Sequence, residues 1–159
     1  MIQRIQSLFL FGAIVILAIV SFSGSFFTVI TDTAINEFTA FGISSYTHDK
    51  QHLIEQQNLP VYIFTLTLLV FAGWVLFSYK KLGQQLKMAR ILWGVYLLTV
   101  IAVVVWNSFL AKNQVKGEVT QSNYGSAFYF LVIGIAFVHL AFIGIRKDKS
   151  TIDSLNRLR

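Results

Sequence analysis

Three histidines and a few carboxylates are the side chains with which this chain could do chemistry. His48 and His52 stand four apart, with Asp49 and Glu55 close by. On a helix that spacing puts both imidazoles on one face, as in many zinc sites. A full site needs a third and fourth ligand, and a metallohydrolase would also hold a Glu between the histidines. Asp49-Lys50-Gln51 fills that interval, so the pair reads as two solvated histidines of a surface segment and no metal is expected. His139 stands alone in a long apolar stretch, six residues before Ile145, which is about 9 Å along a helix. An ionisable side chain inside a membrane segment is a functional candidate by default. Bis-histidine haem would need a second histidine in such a stretch, and there is none. His139 is therefore expected to be a neutral imidazole, hydrogen-bonded to a Ser, Thr or Tyr, because a proton there would be opposed by desolvation. The alternative is a lipid or quinone pocket beside it. No cofactor is expected.

Other chemistries are excluded by what is missing. There is no cysteine, hence no disulfide-stapled outer loop and no thiol exchange. The net charge of +6 would point to nucleic acid if the basic residues formed one solvated face. They lie instead at the ends of apolar runs, where anionic headgroups sit, so no nucleic-acid partner is expected.

The elements that would position these residues follow from charge segregation. Residues 5–31, 56–79, 91–111 and 119–145 contain no Asp, Glu, Lys or Arg. About 20 helical residues span ~30 Å of hydrocarbon, and a charge at mid-depth costs at least ~2.5–3.5 kcal/mol. Four membrane helices are expected, at about 8–30, 61–79, 91–109 and 125–145, in a single domain over residues 1–159. The outer loop would be 31–59 and the tail 146–159. The fold class expected is an all-α antiparallel four-helix bundle in the membrane, with one or two short strands in the first half of the outer segment, Phe26 to Tyr46, which is rich in Phe, Thr, Val and Ile. The second half, Thr47–Asn58, reads as a short surface helix.

Orientation follows from basic residues in the short flanks. Arg4, Lys80, Lys81, Lys87, Arg90, Arg146, Lys147, Lys149, Arg157 and Arg159 fall on one side, and Lys50, Lys112 and Lys116 on the other. Both termini are expected to be cytoplasmic. Trp74, Tyr79, Trp93, Trp106 and Tyr124 lie toward helix ends, as interfacial anchors do. Pro60 sits at the entrance to the second helix, where its missing N–H costs nothing.

Helix four carries a packing stripe: Ala127, Gly134 and Ala141 are spaced by sevens, with Gly144 beyond. Small residues at this period let a neighbouring backbone approach. Gly134 is expected to face another helix, and Leu131 to face lipid. In the tail, Ser150 and Asp153 resemble a capping box. Ile152, Leu155 and Leu158 would form the apolar face of a short helix lying on the membrane, with Arg146, Lys147, Asp148, Arg157 and Arg159 as the polar part of a candidate interaction surface.

The opening Met1-Ile2-Gln3-Arg4-Ile5-Gln6-Ser7-Leu8 and the closing Ile145-Arg146-Lys147-Asp148, Ser154 and Arg157-Leu158-Arg159 resemble the end signatures of a bacterial four-pass membrane family, domain of unknown function 4293. The Tyr79-Lys80-Lys81-Leu82 to Leu86 stretch is similar to its basic middle loop. Lys149, Asp153 and Asn156 depart from the family's pattern. The resemblance implies residence in the bacterial inner membrane and carries no assigned activity. No enzyme activity is expected. The functional expectation is an accessory or interaction subunit, partnered by the bilayer and by another membrane protein or a second copy of itself.

Overall fold

Residues that alternate by fours and threes along a helix form one stripe, and such stripes facing one another build a bundle. The computed structural model, which describes residues 3–22, 24–49 and 52–157, follows that pattern. Helix α1 (Gln3–Phe22) buries Gln6, Leu10, Ala13, Leu17 and Val20, and α2 (Tyr62–Phe77) buries Thr65, Leu68, Ala72 and Val75. Helix α3 (Leu82–Val105) buries Gln85, Ala89, Leu92, Tyr96, Thr99 and Val103. Helix α4 (Ser126–Arg157) buries Ala127, Leu131, Gly134, Val138, Ala141, Ile145 and Asp148. Four helices are long and apolar enough to cross a membrane. Each packs against its neighbours in sequence, and α1 closes the ring against α4.

The chain is not all-α. Strands β1 (Ser25–Thr31), β2 (Ile35–Thr39), β3 (Gly42–Tyr46), β4 (Leu53–Asn58) and β5 (Val119–Tyr124) form one antiparallel sheet of order β4-β3-β2-β1-β5. The first uncharged run is therefore divided: α1 ends at Phe22, and Gly24 at φ 88° turns the chain into β1. Phe26, Phe27, Thr28, Val29 and Ile30 are β-branched or aromatic, types that fit a pleated surface. Their backbone groups are taken up by β2 on one side and β5 on the other. The surface helix expected over 47–58 is replaced by a turn and β4, which pairs with β3 from Gly42↔Asn58 to Tyr46↔Leu53.

One face of the sheet rests on the end of α3. Phe27 and Phe38 stack at 4.4 Å, and the Trp106 ring meets both edge-on at 5.6 and 5.8 Å. Trp106 opens a π-helical turn, Trp106–Leu110, that ends α3. Its role is thus packing between sheet and bundle, where the sequence pointed to an interfacial anchor. Inside the bundle, α3 and α4 meet closely at Gly134. A Cβ built there would lie 1.9 Å from Tyr96 Oη and 3.2 Å from Ile16 Cγ2. Tyr96 is fully buried and its hydroxyl has no hydrogen-bond partner among the described residues. Leu131, expected on the lipid side, is fully buried too.

Gly134→Ala should therefore destabilise by about 1–3 kcal/mol, the usual cost of overpacking. Tyr96→Phe should be neutral or stabilising by about 1 kcal/mol, since it removes an unsatisfied buried hydroxyl, and should recover part of the loss in the double variant. Thermal melts of the four proteins in detergent measure the coupling. Purely additive effects would show that the two positions are not in contact.

Candidate functional site

The end of the bundle that holds the start of α1, the α2–α3 connection and the end of α4 collects the polar and basic chemistry. Gln6 reaches over Gly144, where a Cβ would meet its Cγ at 2.7 Å, and its amide Nε2 donates to Asp148 Oδ2. Both side chains are buried, Gln6 to 4% and Asp148 to 8% exposure. A hydrogen bond to a charged acceptor contributes about 1.5–3 kcal/mol, so this contact fixes α1 against α4 where their shared core ends. Gln85 Nε2 of α3 donates to the Val75 carbonyl of α2 at 3.1 Å, a second tie at the same end.

Beyond Asp148, α4 continues without a break to Arg157. The separate short helix expected to start at Ser150 is replaced by this unbroken extension. Thr151 Oγ1 donates to the Lys147 carbonyl at 3.0 Å and Ser154 Oγ to the Thr151 carbonyl at 2.7 Å, so these hydroxyls bond back onto the helix. Ile152 and Leu155 follow Asp148 at spacings of four and three, continuing the buried stripe past the bundle. They are 46% and 60% exposed. Arg146 and Lys147 beside them are exposed and Lys149 half-buried. Leu158 and Arg159 lie outside the described residues, as does the side chain of Arg157.

The other candidates fall elsewhere. Ala127 and Ala141 are fully buried in the α4 stripe with Gly134. His139 is exposed on the outer face, its ring 5.7 Å from that of Trp93, and it makes no hydrogen bond among the described residues. His48 and His52 do not share a helix face. They flank the β3–β4 turn, where Thr47 N donates to the His52 carbonyl at 3.0 Å and His48 Nε2 lies 3.1 Å from the Asp32 carbonyl oxygen. Among the described residues, no group of three or more His, Asp or Glu side chains could hold a metal ion. Under the sheet, a cavity of about 400 Å³ is lined by Asn36, Ser45, Gln57, Gln114, Glu55 and Lys116. The Glu55 carboxylate accepts a 2.8 Å hydrogen bond from Lys116 Nζ and, by that bond and its charge, holds the lysine above its usual pKa.

The family described as Domain of unknown function (DUF4293) matches residues 2–158. The chain belongs to this family. No curated protein matches the chain. This DUF4293 chain is a ring of four apolar helices capped at one end by a five-stranded sheet, with a helical extension at the other. Gln6, Gln85 and Tyr96 are among the buried polar residues that a search for charges and histidines passes over. Stepping by threes and fours from Gly134 finds the α4 stripe and its extension, Ile152 and Leu155. Gln6 and Tyr96 emerge only once the stripes of neighbouring helices are aligned.

Gln6→Met keeps the length of the side chain but not its donor. It should cost about 1.5–3 kcal/mol and speed hydrogen exchange at residues 146–157, where α4 leaves the bundle. Exchange unchanged from wild type would show that packing, not the Asp148 hydrogen bond, holds this end of α4.

Proposed function

We propose that this is an integral membrane protein of the bacterial inner membrane that acts without enzymatic chemistry of its own, as an accessory or interaction subunit. In this reading the sheet faces outward, and the α2–α3 connection and the α4 extension are cytoplasmic. The observation that carries it is the overhang of α4. Thirty-two residues make a helix about 48 Å long, against ~30 Å of hydrocarbon. Asp148 stands 22 residues from Ser126, about 33 Å along the axis, so the overhang begins where one span ends. Ile152 and Leu155 sit there at core positions of the stripe, both exposed among the described residues, which is how a partner helix would be received. The basic asymmetry supports the orientation. Open strand edges are not tolerated in hydrocarbon, which supports β4 and β5 lying outside it, on whichever side they face. A lipid or quinone pocket centred on His139 has less support, because that imidazole lies on the outer face of the bundle beside Trp93.

Two measurements test this. The chain has no native cysteine, so Gln84→Cys, at an exposed position in the first turn of α3, reports orientation. It should resist a membrane-impermeant thiol reagent in intact cells and react in inverted vesicles. Labelling in intact cells overturns the orientation. For the docking role, Ile152→Ser with Leu155→Ser should leave the melting temperature within a degree or two, roughly the size of a surface substitution. The same pair should remove a protein that co-purifies with the wild type from native membranes. A partner that stays bound to the double variant overturns docking on the overhang.

A further inference from the structure

Helices α1 and α2 are tied at the sheet end, where Ser21 Oγ and Thr65 Oγ1 are hydrogen-bonded at 2.8 Å. Toward the other end an apolar groove of about 780 Å³ opens between them, lined by Phe11, Ile14, Leu69, Gly73, Trp74 and Phe77. That volume falls in the range of ligand sites, roughly 300–1,000 Å³. Gly73 makes the groove deep: nothing lies within 4 Å of the place a Cβ would take. The groove ends at Ser78. Two residues on come Lys80 and Lys81, both exposed and in no ion pair among the described residues. The sequence has no acidic residue between Glu55 and Glu118, so nothing in this stretch neutralises them. An apolar groove with a pair of exposed cations just past its lining in the chain has the polarity of an anionic amphiphile.

We propose that the α1–α2 groove binds one acyl chain of an anionic phospholipid, with the phosphate on Lys80 and Lys81. The site rests on the reading of these helices as membrane-spanning. It is separate from the α4 overhang, which offers core positions to a protein helix. Each lysine near an anionic headgroup contributes roughly a fivefold preference, so the pair should discriminate clearly between anionic and zwitterionic lipids sharing the same chains. Trp74 is 62% exposed and lines the groove, which makes it the reporter.

The full-length protein is reconstituted in phosphatidylcholine vesicles containing a minor fraction of either brominated phosphatidylglycerol or brominated phosphatidylcholine. The Trp74 signal is the difference between wild type and Trp74→Phe. Brominated phosphatidylglycerol should quench it several-fold more than brominated phosphatidylcholine. Lys80→Ala with Lys81→Ala should bring the two lipids level. Gly73→Leu, whose Cβ would have no protein atom within 4 Å and which favours the helix, should fill the groove and abolish the excess while leaving the melting temperature in place. Equal quenching by both lipids, an excess that survives Gly73→Leu, or a Trp74 quenched by neither lipid would each overturn the site. Failure of the protein to float with the vesicles would overturn the membrane reading along with it. Flotation with equal quenching would overturn the lipid site alone.

Discussion

The distance between α4 and its two neighbours is the constraint on which the rest of this structure depends. Along α4 the stripe alternates small and large: Ala127, Gly134 and Ala141 at one heptad position, Leu131, Val138 and Ile145 at the other, all buried. Small residues let the α1 and α3 backbones come close, and large ones fill the space between turns. The approach is tight enough that Gly134 faces the Tyr96 hydroxyl and Gly144 faces the stem of Gln6. From α1, Gly12 answers in the same way, with Phe137 where its Cβ would be. Close contact of backbones is the main source of helix association when lipid surrounds the helices, because lipid leaves little hydrophobic drive between them.

The sheet is a continuation of that helix pair. Helix α1 runs into β1 and β5 runs into α4, so the antiparallel neighbours α1 and α4 become antiparallel neighbours β1 and β5. The crossing point is made of backbone. Gly125 N donates to the Phe26 carbonyl at 2.9 Å, and a Cβ at Gly125 would meet the Ser25 carbonyl oxygen at 2.2 Å. Once β1 is placed, β2, β3 and β4 follow by short antiparallel connections from its other edge. The Phe27–Phe38 stack on Trp106 then anchors them to the end of α3. Polar groups close the same seam: Ser122 Oγ of β5 donates to Asn107 Oδ1 in the π-helical turn after α3.

How legible this was depends on which physical signal each part leaves in the sequence. Exclusion of charge marks segments that avoid water, and it located four apolar helices. It does not separate helix from strand, so β1 was absorbed into the first run and β5 into the last. Phe26–Thr31 carried a usable signal in its β-branched and aromatic residues just after Gly24. Val119–Tyr124 is polar and earns its place only by pairing with β1, far away in the chain. Charge exclusion also misplaced the start of α3, which begins at Leu82, well before Ile91. Lys87 and Arg90 are exposed on that first part, while Gln85 and Ala89 continue the buried stripe. The heptad, not the absence of charge, sets where these helices begin and end.

The same distinction decides how the tail is understood. Read as composition, residues 146–159 are a basic, amphipathic segment of the kind that lies on a headgroup layer. To lie there the chain must bend as it leaves the bundle, and sharp bends in helices come from Pro, from Gly/Ser pairs or from a π-bulge. After Gly144 the sequence offers neither Pro nor Gly, and Thr151 and Ser154 spend their hydroxyls on the helix's own carbonyls. What ends the core is Asp148, a charged residue at a stripe position, of the kind that fixes register at a cost in stability. Its hydrogen bond from Gln6 locks α1 to α4 in a single alignment. The stripe itself does not stop there: Ile152 and Leu155 keep its period and its apolar character. An interfacial helix carries its apolar residues at the same spacing, so the proposed docking face rests on the unbroken continuation of α4 past Asp148 and not on the period of those two residues alone.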